Sequence, residues 1–174
     1  MSTDPNPAPA TCAAPLRLHL PDEAATAQLG TALGRAILAI EQEIVDRGFV
    51  IGLSGDLGAG KTALVRASLR ALGVEGRVKS PTFSLLEVYV VSRLNFYHFD
   101  FYRLERIEEF REIGFREAFG PGHVCAIEWP ERAGPSMPQP DLQITLQVDG
   151  EGRVATMSAA TTIGASCLQR IRAA

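Results

Sequence analysis

Phe49-Val50-Ile51-Gly52-Leu53 and, one residue later, Gly55-Asp56-Leu57-Gly58-Ala59-Gly60-Lys61-Thr62 form the stretch on which the reading of this chain turns. The first five residues follow Gly48 as a short apolar run, the pattern of a buried parallel strand. The next eight fit G-x-x-x-x-G-K-[ST], and a helix is expected from Lys61 to about Leu72, with Gly73 as its stop signal. Glycines at these positions let the backbone curl with its N–H groups turned inward, so the loop becomes a nest for anions. The helix behind it aims its positive end at the same point. Lys61 would then reach the β- and γ-phosphates of a nucleotide, and Thr62 would offer its hydroxyl to Mg²⁺. The competing reading is a glycine-rich strand-to-helix turn carrying a surface lysine, and the strand-and-helix setting of the full pattern outweighs it. The spacing is not the G-x-G-x-x-G of dinucleotide folds, which are set aside.

Outward from this loop, the chain alternates strands and helices. Leu16, Leu18 and Leu20 alternate with Arg17 and His19, the period of a half-buried strand. Pro21-Asp22-Glu23 starts a helix whose Leu29, Leu33, Ile37 and Ile40 fall on one apolar face. Downstream, Phe83 to Val91 and Leu94 to Phe99 read as strands joined at Ser92-Arg93. Residues 105–119 read as a charged helix broken near Gly114, and Val124 to Ile127 as another buried strand. Leu142, Ile144, Leu146 and Val148 alternate, then Asp149-Gly150-Glu151-Gly152 turns into Val154, Thr156 and Ser158, a late hairpin. A last helix is expected over Ile163 to Ile171. The expected fold is α/β and P-loop NTPase-like: a mixed sheet, parallel at its centre with antiparallel flanking strands, and helices on both faces. Residues 1–14, rich in Pro, Ala and small polar residues, read as a disordered arm before one domain over 15–174.

Composition narrows the function classes. The chain has 174 residues, 46% hydrophobic and 21% charged, which suits one buried core and excludes disorder over most of its length. No apolar run approaches the roughly 20 residues of a bilayer crossing, and the N-terminus lacks the basic start and apolar stretch of a secretion signal. Lys+Arg 17 against Asp+Glu 20 leaves a net charge of -3, which disfavours gripping DNA or RNA unaided. Cys12, Cys125 and Cys167 are odd in number and widely spaced, without a CxxC pair, so a disulfide framework and a zinc site are both disfavoured. Cys125 reads as a small buried hydrophobe, and a reducing cytoplasm fits. Only Lys61 and Lys79 are lysines.

A phosphate loop that hydrolyses ATP needs an acid at the end of a buried strand to serve the metal. Asp100 ends Asn95-Phe96-Tyr97-His98-Phe99, and Glu128 ends Val124-Cys125-Ala126-Ile127. The run before Glu128 is small and wholly apolar, like a central strand beside the loop's own. The run before Asp100 alternates with polar and aromatic residues, like a strand with one less buried face. Glu128 is therefore assigned to the metal, and Asp100 to the attacking water or the metal's outer shell. His98 reads as a buried, hydrogen-bonded histidine and not as a catalyst. Trp129 could pack over the site, meet a partner or fill core. Arg103 could meet phosphate or brace Glu105 or Glu109, and the charges from Arg103 to Glu117 read as a solvated helix face. Ser80-Pro81-Thr82 lies where nucleotide switches sense a γ-phosphate, although Ser-Pro equally marks ordinary loops and composition favours the loop.

Gly55 to Thr62, Lys79-Ser80-Pro81-Thr82-Phe83, His98 to Leu104 and Ile127-Glu128-Trp129-Pro130 stand in the order and spacing of the TsaE (formerly YjeE) family, which the chain resembles from about Leu16 to its C-terminus. The resemblance implies a cytoplasmic ATPase of tRNA threonylcarbamoyladenosine synthesis that works with the proteins TsaD and TsaB. Those partners modify N6 of adenosine 37 in tRNAs reading codons that begin with A. ATP and Mg²⁺ are the implied cofactors. Leu57, Gly58, Ala59, Gly60, Lys61 and Thr62 match the phosphate loop, Thr62 and Glu128 the Mg²⁺ ligands, and Asp100, with Lys61, the catalytic set. Glu23 and Arg153 match positions near the nucleotide. The stretches Arg47-Gly48-Phe49 and Ala133 to Pro140 depart from the family pattern, with consequences expected in loops only. The net negative charge agrees with tRNA contact made through partners.

Two other classes use the same loop. A small-molecule kinase needs an acceptor pocket and usually an arginine-rich lid, but the arginines of 103–116 are interleaved with Glu105, Glu108, Glu109 and Glu112. A nucleotide-gated adaptor would bind ATP with hydrolysis incidental. GTP is disfavoured because no N-K-x-D base-reading motif occurs. No arginine is placed as a finger, so slow turnover by the isolated chain is expected.

Overall fold

The computed structural model describes residues 14–106 and 115–174. The expected N-terminal arm, Ala14 apart, and residues 107–114 of the expected charged helix lie outside the described residues. The elements in chain order are β1 (Leu16–Leu20), α1 (Glu23–Ala39), α2 (Glu41–Arg47), β2 (Phe49–Ser54), α3 (Lys61–Ala71), β3 (Leu86–Val91), β4 (Leu94–Asp100), β5 (His123–Glu128), β6 (Leu142–Asp149), β7 (Gly152–Ala159) and α4 (Thr162–Arg172). Short 3₁₀ segments cover Phe115–Ala118 and Pro130–Ser136.

All seven strands join one sheet in the order β1-β7-β6-β2-β5-β4-β3. Strands β6, β2, β5 and β4 run parallel, and β3, β7 and β1 are antiparallel additions at the flanks. This is an α/β mixed sheet with a parallel centre. The apolar run Phe49–Leu53 occupies the position its composition suits, hydrogen-bonded on both sides and covered on both faces. Because parallel neighbours end together, Leu53 of β2 pairs Glu128 of β5, and Glu128 pairs Asp100 of β4. Three strand ends thus deliver the loop and two acids to one rim, the usual ligand edge of such sheets.

The two faces are covered differently. Against one, α1, α3 and α4 bury Leu29, Leu33, Ile37, Leu64, Leu69 and Leu168 over Phe49, Ile51, Phe96, Ile144 and Leu146. Against the other, the 3₁₀ segments and adjoining loops bury Phe115, Ala118 and Ala133 over Phe99, Cys125 and Ile127, with Phe99 and Phe115 edge to face at 4.8 Å. Burial raises the thiol pKa of both Cys125 and Cys167, the latter to about 12, as befits inert core cysteines. The register of α3 depends on α1: a side chain at Gly30 or Gly34 would begin 2.5 Å from the α3 carbonyl oxygens of Leu64 or Ser68. Only glycine allows the two helices so close, and that approach sets where Lys61 and Thr62 stand.

Three boundaries differ from expectation. Helix α1 stops at Ala39: Ile40, buried with the expected apolar face, leaves helical geometry (φ -113°, ψ 17°), and a separate α2 follows, burying Ile44. No glycine or proline marks that break. Strand β3 begins at Leu86 rather than Phe83: Leu85 N donates to Pro81 O at 2.7 Å and Leu85 takes a left-handed φ of 62°, so residues 81–85 form a turn. The described end of the expected charged helix, Phe115–Ala118, is 3₁₀.

Candidate functional site

The loop after β2 closes on itself before α3 begins. Ala59 N donates to Asp56 O at 3.1 Å, and Gly60 caps α3 in the left-handed region (φ 101°), where a side chain would be strained. Lys61 is buried although it opens a helix. Its Nζ folds back over the loop and donates to Gly55 O at 2.6 Å and Asp56 O at 2.9 Å. The same ammonium lies 4.0 Å from the centre of the Trp129 ring, a cation–π contact. Burial lowers the Lys61 pKa from its ordinary 10.5, while Glu128, Asp100, Glu131 and Asp56 pull it back up.

Glu128, 3% exposed at the end of β5, accepts from Thr62 Oγ1 at 2.7 Å through Oε1. His98, fully buried on β4, lies 2.9 Å from the same oxygen through Nε2. Asp100, also 3% exposed, is held by a different set. Its Oδ2 accepts from Ser80 Oγ and Thr82 Oγ1, each at 2.9 Å, and its Oδ1 accepts from Tyr102 N at 3.0 Å. Two nearly buried carboxylates on adjacent strands repel each other, and these donors with Lys61 offset that cost.

Between them opens a cleft of about 390 Å³ lined by Leu57, Gly58, Gly60, Lys61, Thr62, Ala63, Ser80, Thr82, Asp100, Tyr102, Arg103, Glu128 and Trp129. A larger groove of about 1220 Å³ between β1 and α1 is lined mainly by apolar residues and contains none of the loop or the two acids. The chemistry belongs to the smaller cleft. Leu57, at the loop tip, is 71% exposed, whereas Ala59 is buried under the loop.

Glu23 and Arg153 do not line the cleft. Glu23 is an exposed first residue of α1, behind the cap in which Asp22 Oδ1 accepts from Ala25 N at 2.7 Å. Arg153 on β7 lies against the loop, its Cδ and Nε 3.7 Å from where a Gly60 side chain would begin. Its Nη1 donates to Thr26 Oγ1 at 2.9 Å, and its Nε is buried without a hydrogen-bond partner among the described residues.

Other expectations are corrected by contacts distant in sequence. Ser80-Pro81-Thr82, which composition favours as an ordinary loop, holds Asp100 and lines the cleft. Arg103 lies 4.4 Å over the Phe83 ring and lines the cleft; Glu109, one of the glutamates it could brace, lies outside the described residues. Trp129, in a left-handed conformation at φ 58°, packs over Lys61, one of its expected placements, meets Tyr102 at 5.3 Å and also rests against the second core cluster. A left-handed non-glycine costs about 1–2 kcal/mol, and such strain concentrates at functional sites. Thr26 carries no motif that singles it out, and Tyr102 lies within the His98-to-Leu104 motif without a role assigned to it; their contacts arise only when β7 meets α1 and when the chain turns after β4.

The donor set fits a nucleotide with a hard cation. A glycine-rich loop at the start of a helix and a buried lysine in the cleft suit phosphate. Among the described residues no three His, Cys, Asp or Glu side chains gather as a metal cage. Mg²⁺ takes one or two protein oxygens and completes its shell with phosphate and water. The Thr62 hydroxyl and the Glu128 carboxylate, hydrogen-bonded at 2.7 Å at the cleft wall, are such a pair.

The sequence model of the family described as "Threonylcarbamoyl adenosine biosynthesis protein TsaE" matches residues 20–155. The chain is 35% identical over 149 residues to the tRNA threonylcarbamoyladenosine biosynthesis protein TsaE of Haemophilus influenzae, covering 86% of this chain and 92% of that one. It is 41% identical over 128 residues to the protein of the same name from Treponema pallidum, covering 73% and 87%. The crystal structure of Bacillus subtilis YdiB superposes with a TM-score of 0.74 at 24% identity, covering 94% of this chain and 97% of that one, which shows a shared fold.

Proposed function

The chain belongs to the TsaE family, and from that premise we propose that it is a Mg²⁺-dependent ATPase required for the threonylcarbamoyl modification on N6 of adenosine 37 in tRNAs reading codons that begin with A. It acts with TsaD and TsaB, drives their reaction cycle and does not itself perform the transfer; tRNA is met through that complex. Residues 15–174 act as one ATPase domain. The cytoplasm is the proposed place of work; among the described residues no helix is long and apolar enough to cross a membrane.

In this reading the backbone amides of residues 57–62 cradle the phosphates, and Lys61 leaves Gly55 O and Asp56 O to meet the β- and γ-phosphate oxygens. Thr62 and Glu128 hold Mg²⁺, whose charge, when bound, offsets that of the phosphate oxygens. Asp100 orients the attacking water and accepts its proton, as the water oxygen bonds to the γ-phosphorus and the bridging oxygen leaves with ADP. Arg153, beside Gly60, and Glu23 are taken in this reading as lying near the nucleotide. The observation that carries this reading is the meeting, in one cleft, of Lys61 and Thr62 at the start of α3 with two nearly buried acids from neighbouring strands.

The test is release of ADP and phosphate from ATP with Mg²⁺ by the isolated chain and by the chain with TsaB and TsaD, alongside tRNA modification by the reconstituted set. Slow turnover alone, faster turnover with the partners and modification that depends on this chain are expected. Equal rates with and without partners count against it, and a phosphorylated acceptor in place of free phosphate points to a kinase.

A further inference from the structure

The phosphate loop and both acids have assigned roles, but the side chain most completely buried beside them does not. His98 is in the middle of β4, fully shielded, on the face that carries Phe96 and Asp100. Its Nε2 is 2.9 Å from Glu128 Oε1, the oxygen that also accepts from Thr62. An ionised carboxylate only accepts hydrogen bonds, so the shared proton resides on Nε2. Nδ1 is buried without a hydrogen-bond partner among the described residues. A ring proton at Nδ1 would find no acceptor there, so the geometry places the hydrogen-bonding proton on Nε2.

We propose that His98 is a positioning residue for Glu128: as an Nε2–H donor it holds Oε1 toward Thr62 and leaves Oε2 for the ligands of the cleft. The proposal rests on the reading of Glu128 as a Mg²⁺ ligand. A glutamate has one more rotatable bond than an aspartate, and each rotor left free must be ordered when the cation arrives. Two donors from rigid elements, Thr62 on α3 and His98 on β4, converge on one oxygen and order it in advance. Outer partners that orient a metal-binding carboxylate typically set metal affinity by roughly 10- to 100-fold.

Two variants separate this role from packing. His98→Phe keeps the ring volume and removes the donor; His98→Gln places an amide Nε2 where the imidazole Nε2 stands. Calorimetric titration with ADP, with Mg²⁺ and with EDTA, reads the Mg²⁺-dependent part of nucleotide affinity without turnover. His98→Phe is expected to lose roughly tenfold or more of that part while binding ADP in EDTA like the parent, and His98→Gln to regain most of it. Nitrogen-15 spectra of the parent's imidazole are expected to show the Nε2–H tautomer. A folded His98→Phe with parental Mg²⁺-dependent affinity overturns the proposal, and so does an Nδ1–H tautomer, which decides the matter if His98→Phe does not fold. A parent protein without any Mg²⁺-dependent nucleotide affinity overturns the reading of Glu128 itself.

Discussion

Asp100 and Glu128 are register partners on adjacent parallel strands and equally buried, yet they are held by different kinds of structure. Glu128 receives its donors from Thr62 in the first turn of α3 and from His98 inside β4, both part of the packed core. Asp100 receives its donors from Ser80 and Thr82, in the irregular segment before β3, and from Tyr102 N in the turn after β4. Segments with few buried contacts open at lower free-energy cost than packed elements. The acid proposed for the cation is therefore held by packed elements, and the acid proposed for the water is held by loop segments.

The contrast can be broken most forcefully at Asp100. Asp100→Asn keeps the side-chain size and removes the proton acceptor, so turnover should fall by about 10²–10⁴ while ATP affinity stays near the parent's. Parallel measurement of single-turnover rate and nucleotide affinity checks this, and equal loss in both would erase the division of labour. Glu128→Ala should do the reverse first: roughly 10- to 100-fold weaker nucleotide binding with Mg²⁺ and little change in EDTA, read by calorimetry. Thr82→Val removes one of the donors to Asp100 and leaves three-dimensional packing nearly intact. A hydrogen bond to a charged group contributes about 1.5–3 kcal/mol, so turnover should drop by roughly tenfold to a hundredfold, without a shift in Mg²⁺ dependence.

The smallest effect concerns pH. The folded protein lowers the Lys61 pKa below 10.5, so as pH rises through the lowered value Lys61 loses its proton before a free lysine would. Unfolding in that range takes up a proton, and stability rises with pH there: the cost of burying the ammonium fades between the lowered value and 10.5. ATP affinity moves the opposite way, because a neutral Lys61 no longer attracts phosphate. Binding isotherms across the alkaline range should weaken in step with the loss of that proton, and the decline should be absent from Lys61→Arg, whose guanidinium stays charged.

Much of this arrangement is written locally. The run Phe49–Leu53, the loop Gly55–Thr62, the alternation of Leu16, Leu18 and Leu20, and the hairpin around Gly150 each follow from side-chain periodicity or from the backbone freedom of glycine, and each stands where those rules put it. The contrast between the strands ending in Asp100 and Glu128 was legible too, since burial on both faces demands small apolar residues on β5. Local pattern failed where a role depends on a distant partner. Thr82 looks like loop filler until β3 pairs with β4 and brings its hydroxyl to Asp100, and Arg153 reaches Thr26 across 127 positions of sequence. The break at Ile40 has no local breaker in the sequence, and the helix beyond it buries Ile44. Periodicity and turn chemistry act between neighbours along the chain, so they specify strands, helices and the anion nest. Which carboxylate is braced by core and which by loop depends on hydrogen bonds between residues far apart in sequence, and those exist only once the sheet has set its strand order.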